Sequence, residues 1–322
     1  MKVVVTDFSF PDLSIEERIL KSDGHEVVAS KERPAAPELC RLVSDADAVI
    51  TQFASVNADV VNAMSRAQVI VRYGIGVDNV ALDAARARNI PVCNVPDYCI
   101  DEVADHTLAF ILSLTRQVVP NDQHVKSGQW GLAGDLQKLR ALKELTVGIV
   151  GFGRIGREVV SRLRPFKCRI LVFDPVTPAS SITADGATPV SLTDLLRQSD
   201  LISLHCPSTA ETRGMICEES LAQMKPGVLI VNLARGDLVD PAALTNALET
   251  GHVTGAALDV FAPEPIPADH SIRKHPNVIL ASHIASVSVP AVKKLRETAA
   301  HIALLALQGQ PLPNVVNGVS PR

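Results

Sequence analysis

The stretch Thr146-Val-Gly-Ile-Val-Gly-Phe-Gly-Arg-Ile-Gly156 decides the fold. An apolar run ends in glycines at 151, 153 and 156, and a helix-forming stretch follows at once. Each glycine has a physical task in such a turn. Gly151 permits the tight bend, Gly153 lets the backbone approach a pyrophosphate, and Gly156 lets the helix press against the sheet. Arg154 and Ile155 open that helix, whose N-terminal N–H groups and positive dipole end suit phosphates. The next apolar run, Arg169-Ile-Leu-Val-Phe-Asp174, ends in an acid at the distance a dinucleotide site requires. A carboxylate there accepts hydrogen bonds from the adenosine ribose and repels a 2′-phosphate. Pro175 and Val176 follow it, with no arginine, so the pattern selects NAD over NADP.

Outward from this turn, short apolar runs alternate with longer amphipathic stretches, the pattern of stacked β-α units. In the first hundred residues strands are expected at 3–5, 25–29, 48–52, 68–72 and 92–94, enough for a flavodoxin-like sheet. A long helix is expected over 101–116, then a loop rich in glycine and polar residues over 121–135. The second series has strands at 147–151, 169–173, 201–205, 228–232, 255–258 and 278–281, and a last helix spans 290–307. Two arrangements fit: consecutive domains with a break near residue 140, or a cofactor domain inserted into a substrate domain. The two framing helices favour insertion. The expected fold is therefore α/β with two Rossmann-like or flavodoxin-like domains and doubly wound parallel sheets. Residues 1–99 and 290–322 form the substrate domain, and 100–289 the NAD-binding domain.

Composition narrows the partners. Hydrophobic residues make up 47 % of the 322 and aromatics only 3 %, so the cores are built from Val, Ile, Leu and Ala. A net charge of −4 without a basic stripe argues against nucleic acid. The six cysteines form no CxxC pair and the nine histidines no HExxH array, so no metal site is expected. MKVVVTDF reads as a strand rather than a signal peptide, and no apolar run is long enough to cross a membrane, so a cytoplasmic protein is expected.

Hydride transfer at a carbinol needs a general acid/base, a partner that holds it, and a cation for the substrate carboxylate. Three segments at the C-terminal ends of expected strands offer the set: Val231-Asn-Leu-Ala-Arg-Gly-Asp-Leu-Val-Asp240, Ala257-Leu-Asp-Val-Phe-Ala-Pro-Glu-Pro265 and Leu280-Ala-Ser-His-Ile-Ala285.

With these motifs in this order, the sequence resembles the D-isomer-specific 2-hydroxyacid dehydrogenases over nearly its whole length. The resemblance implies that His283 exchanges the proton with the substrate oxygen. Glu264 hydrogen-bonds the imidazole and favours its charged form. Arg235 binds the carboxylate and polarises the carbonyl. Asp259 matches the residue that holds the nicotinamide amide. Cys206, Pro207, Thr212 and Ala234 match the wall of the cofactor site, as does His205, and Thr107 matches a contact near the cofactor phosphates, with His106 structural. Arg72-Tyr-Gly-Ile-Gly-Val-Asp-Asn79 looks like the family's substrate loop, in which Arg72 and the N–H groups near Ile75 and Gly76 cradle the carboxylate.

The resemblance further implies a small 2-keto or 2-hydroxy acid as substrate, bound in a cleft between domains that closes about the two long helices. It implies a homodimer joined through the helix from Asp101 and the loop at 121–135, which holds Trp130, the one tryptophan. Two departures stand out. Ser286-Val287 replaces an aromatic pair that often follows the histidine, and Leu233 replaces a small hydroxyl residue. Glu264 argues against formate oxidation, where no proton needs delivering. An NAD-sensing role like that of the C-terminal-binding corepressors is the alternative from another class.

Overall fold

In a computed structural model of the chain, which describes residues 1–319, two compact units separate. One comprises Met1–Tyr98 together with the chain from Ser288 onward, and the other Cys99–Val287. Residues 320–322, at the end of the expected substrate domain, lie outside the described residues.

The chain begins with β1 (Lys2–Val5), α1 (Ser14–Lys21), β2 (Glu26–Ala29), α2 (Ala36–Val43), β3 (Ala48–Thr51), α3 (Ala58–Ala63), β4 (Ile70–Arg72), α4 (Leu82–Ala87) and β5 (Val92–Cys93). These strands form an all-parallel sheet in the order β2-β1-β3-β4-β5, the doubly wound flavodoxin-like order. β3 is buried along its whole length, as a central strand covered on both faces must be. One face packs Val3, Val5, Ile50 and Val71 against Leu295, Ala299 and Ile302, and the other packs Val4, Val49 and Ile70 against Leu39, Val60 and Met64.

The second unit opens with α5 (Ile100–Thr115) and α6 (Val118–Lys126). Then come β6 (Thr146–Val150), α7 (Arg154–Leu163), β7 (Arg169–Phe173), α8 (Ala179–Ala184), β8 (Thr188–Pro189), α9 (Leu192–Gln198) and β9 (Leu201–Leu204). It closes with α10 (Glu218–Ala222), β10 (Val228–Asn232), α11 (Pro241–Glu249), β11 (Val253–Leu258) and β12 (Val278–Leu280). The last helix, α12 (Val289–Leu307), belongs to the first unit. The second sheet is parallel, in the order β12-β11-β10-β9-β6-β7-β8. The winding reverses between β6 and β9, and in open α/β sheets ligands bind at the C-terminal strand ends beside such a reversal.

Two elements differ from the sequence expectation. α6 occupies much of the expected loop at 121–135. It buries no residue and so shows no apolar stripe; local bonds hold it, including Lys126 Nζ to Asp122 at 2.8 Å and Asn121 Nδ2 to the Gln117 carbonyl at 2.7 Å. β8 was not expected either: it is two residues long on the sheet edge, where Pro189 is tolerated.

Candidate active site

The glycine turn joins β6 to α7, and its three glycines differ in what surrounds them. Gly151 has φ +96°, and a Cβ there would stand 2.7 Å from the backbone of His205 and Cys206 at the end of β9. A Cβ on Gly156 would fall 2.2 Å from the Gly151 carbonyl oxygen. Both positions therefore need glycine for close backbone approach. Gly153, the N-cap of α7, has nothing within 4 Å of such a Cβ. That open side, in front of the free N–H groups of Arg154 and Ile155 in the first turn, fits a pyrophosphate.

Asp174 closes the turn from β7. Its carboxylate accepts N–H bonds from Phe152 (2.6 Å), Thr177 (2.7 Å) and Val176 (2.9 Å). Burial pushes its pKa up, but the three N–H donors outweigh burial and hold it below the ordinary value. A carboxylate has roughly four acceptor sites, which leaves room for a ribose hydroxyl. Beside it Val172, Ile182, Pro189 and Val190 line an open depression of about 360 Å³.

On the other side of the winding reversal stands His205, whose Nε2 lies 2.8 Å from Ser203 Oγ. Burial pushes its pKa down to about 4, so it is neutral near pH 7. Burial also raises the Cys206 thiol to about 11, which keeps it protonated and unreactive near pH 7. Thr212 Oγ1 donates to the Pro207 carbonyl at 2.7 Å and accepts the Thr209 N–H, fixing the loop that follows.

Arg235 leaves the end of β10 on a loop bracketed by one side chain. Asn232 Oδ1 accepts the Ala234 N–H at 3.0 Å, and its Nδ2 donates to the Arg235 carbonyl at 2.8 Å. Gly236 then passes so close to the next loop that a Cβ would stand 2.0 Å from the Phe261 carbonyl carbon. That next loop carries Glu264, whose Oε1 accepts the Phe261 N–H and whose Oε2 meets His283 Nδ1, each at 2.9 Å. Burial raises the Glu264 pKa; the hydrogen bond and charge of His283, the Phe261 N–H and the charge of Arg235 together bring it below its usual value. His283 follows β12 in a left-handed conformation, φ +57°. The backbone thus gathers Arg235, Glu264 and His283 at one end of the second sheet.

Asp259 lies beneath this group and is 1 % exposed. Its main-chain oxygen accepts the His283 N–H at 2.8 Å, and its carboxylate oxygens accept the Ile284 (2.8 Å) and Ala285 (2.9 Å) N–H groups. These two bonds tie the carboxylate to the histidine loop and leave further acceptor sites on it. Thr107 is fully buried on α5, and its hydroxyl donates to the Val103 carbonyl at 2.7 Å. A threonine on a buried helix face places its hydroxyl proton within the helix in this way. Sequence reading missed Asn232, Gly236 and the Phe261 N–H. Asn232 carried a local signal, an asparagine poised to bond its own backbone two and three residues on.

In the first unit, Arg72 ends β4, and the loop after it holds Ile75 and Gly76. Gly74 has φ +144°, and a Cβ there would lie 1.4 Å from Arg72 Nη1, so the guanidinium folds over this glycine. The Gly74 carbonyl accepts the Val95 N–H at 2.9 Å, and Asn94 Nδ2 donates to the Ile75 carbonyl at 2.6 Å. Among the described residues no cluster of His, Cys, Asp or Glu is placed to hold a metal, and no helix is long and apolar enough to cross a membrane.

Residues 108–285 match the family model described as D-isomer specific 2-hydroxyacid dehydrogenase, NAD binding domain. A glyoxylate reductase of Thermofilum pendens is 37 % identical over 295 residues, covering 88 % of this chain and 85 % of that protein. A D-3-phosphoglycerate dehydrogenase of Mycobacterium tuberculosis is 38 % identical over 285 residues, and the match spans 88 % of this chain but only 53 % of that one. The crystal structure of D-lactate dehydrogenase from Aquifex aeolicus, complexed with NAD and lactic acid, superposes with a TM-score of 0.86 at 28 % identity and 96 % coverage of both chains. The chain belongs to the D-isomer-specific 2-hydroxyacid dehydrogenases, NAD-dependent oxidoreductases that act on the CH–OH group of 2-hydroxy acids. Residues 108–285 are its NAD-binding domain.

Proposed function

We propose that this protein interconverts a small 2-keto acid and its D-2-hydroxy acid, with His283, Glu264 and Arg235 as the catalytic group. The observation that carries the reading is the 2.9 Å contact between Glu264 and His283 Nδ1, made where the Arg235 charge also reaches Glu264. NADH, when bound, supplies the hydride to the carbonyl carbon. Arg235 grips the carboxylate and polarises the carbonyl. Glu264 fixes the tautomer of His283 through Nδ1, so the proton is delivered from Nε2 to the carbonyl oxygen. Solvent then restores that proton, and each turnover consumes one keto acid, one NADH and one proton. Arg72 and the Ile75 and Gly76 N–H groups hold the carboxylate, while Gly151, Gly153, Arg154, Ile155, Gly156 and Asp174 hold the dinucleotide, against a wall of Cys206, Pro207, Thr212 and Ala234. Asp259 seats the His283 loop and holds the nicotinamide amide.

The same reading makes the enzyme a cytoplasmic homodimer. Trp130, 91 % exposed, and Leu136, 71 % exposed, sit in the segment after α6 and supply apolar surface for a second copy. The test is NADH oxidation against glyoxylate, hydroxypyruvate, phosphohydroxypyruvate and branched 2-keto acids, with chiral analysis of the product. Turnover to a D-hydroxy acid supports the reading. NADH binding without turnover of any acid sinks it and moves the corepressor-like sensing role ahead.

A further inference from the structure

Beneath the loop that carries Arg72 lies a buried ion pair that the chemistry above does not use. Glu16 on α1 is fully buried, and Arg296 on α12 nearly so. Arg296 Nη2 reaches Glu16 Oε2 at 2.7 Å and Nε reaches Oε1 at 3.0 Å. Nη2 also donates to the Asp12 carbonyl at 2.7 Å and to Asp12 Oδ1 at 3.2 Å, and the guanidinium lies 5.1 Å from the Phe10 ring centroid. The remaining partner is Tyr73, whose hydroxyl donates to Glu16 Oε1 at 2.9 Å and whose ring meets Phe10 edge-on at 5.3 Å. Burial and the Glu16 charge both raise the Tyr73 pKa, which keeps that hydroxyl a donor.

Tyr73 sits between Arg72 and Gly74, at the start of the loop. Its N–H donates to the Thr51 carbonyl at 2.8 Å, so backbone and side chain are both pinned. Two unlike charges are costly to bury, and apolar residues of equal size would often hold α1 against α12 as well. What the charges add is direction: they fix where the tyrosine hydroxyl ends, and so where the loop begins.

We propose that Glu16 and Arg296 are positioning residues that act through Tyr73 to hold the Arg72–Gly76 loop in its carboxylate-binding shape. This rests on the reading of that loop as the carboxylate site.

The test is Tyr73→Phe in the full-length protein, because it removes one hydroxyl and leaves the ion pair intact. With the 2-keto acid that the wild type turns over, KM is expected to rise about three- to ten-fold, the equivalent of one hydrogen bond, while kcat and the NADH dissociation constant hold. Hydrogen exchange at the Ile75 and Gly76 amides should quicken by a similar factor. Glu16→Gln combined with Arg296→Met removes both charges together and should raise KM at least as much; if that variant does not fold, Tyr73→Phe decides alone. Unchanged KM and unchanged exchange in Tyr73→Phe, with only thermal stability lowered, would overturn the proposal and leave the pair a fold-stabilising device. Were the wild type to reduce no 2-keto acid, the function reading would fail by itself, and amide exchange would still decide whether the network holds the loop.

Discussion

Replacing Gly236 by alanine tests how the catalytic side chains are held. The added Cβ would stand 2.0 Å from the Phe261 carbonyl carbon, 2.1 Å from its oxygen and 2.5 Å from its Cα, where 3.0 Å is the practical lower limit. Backbone lies on both sides of the contact, so one loop must retreat by about 1 Å. Phe261 is the residue whose N–H holds Glu264 Oε1, and Glu264 in turn holds His283. A displacement of that size in a reacting group costs on the order of 10²-fold in rate. The expected result is a kcat for keto-acid reduction lower by about 10²-fold. Overpacking adds about 1–3 kcal/mol of strain, read as a Tm lower by several degrees. NADH affinity should fall far less than kcat, because the glycine turn and Asp174 sit on β6 and β7 and only Ala234 of the cofactor wall shares the Gly236 loop. Steady-state NADH oxidation, NADH fluorescence titration and thermal denaturation on the same preparation separate these effects. A folded Gly236→Ala variant that turns over at nearly the wild-type rate would refute the idea that the Phe261 contact sets the position of Glu264.

Two further outcomes follow from the cofactor side. Asp174→Ala strips the acceptor from three backbone N–H groups, and bonds to a charged acceptor contribute about 1.5–3 kcal/mol each; the NADH dissociation constant should rise at least tenfold, and equal binding by titration would discount the assignment. His205 gives a pH signature. Its pKa falls from 6.5 to about 4 on folding, so the unfolded chain takes up a proton between these values that the folded chain refuses. Its contribution, about 3 kcal/mol, is present in full above pH 6.5 and lost as the pH falls toward 4. Denaturant unfolding at a series of pH values should show a shallower acid loss for His205→Gln than for wild type; parallel curves would contradict the burial argument.

What was legible in the sequence was local. The glycine turn and Asp174 are readable because a strand, a turn and an acid at fixed spacing have one physical use. The strands of both sheets showed as runs of Val, Ile and Leu because parallel strands are covered on both faces. α6 was illegible because a helix that buries nothing leaves no apolar period. Gly236 gave no warning, since the backbone that demands it belongs to a distant loop. The two N–H groups that the Asp259 carboxylate accepts follow β12, a pairing its own segment does not display. Pairings between strand ends are set by the sheet order, and a chain read residue by residue does not display them.

The central claim is that His283 carries the proton in a reaction whose hydride comes from NADH. The most direct measurement is a single turnover of the NADH complex with the preferred 2-keto acid, wild type beside His283→Ala, with NADH binding measured on both. The account predicts that His283→Ala binds NADH as tightly as wild type and oxidises it at least about 10²-fold more slowly, the usual contribution of a general acid. Equal rates in the two proteins would contradict it.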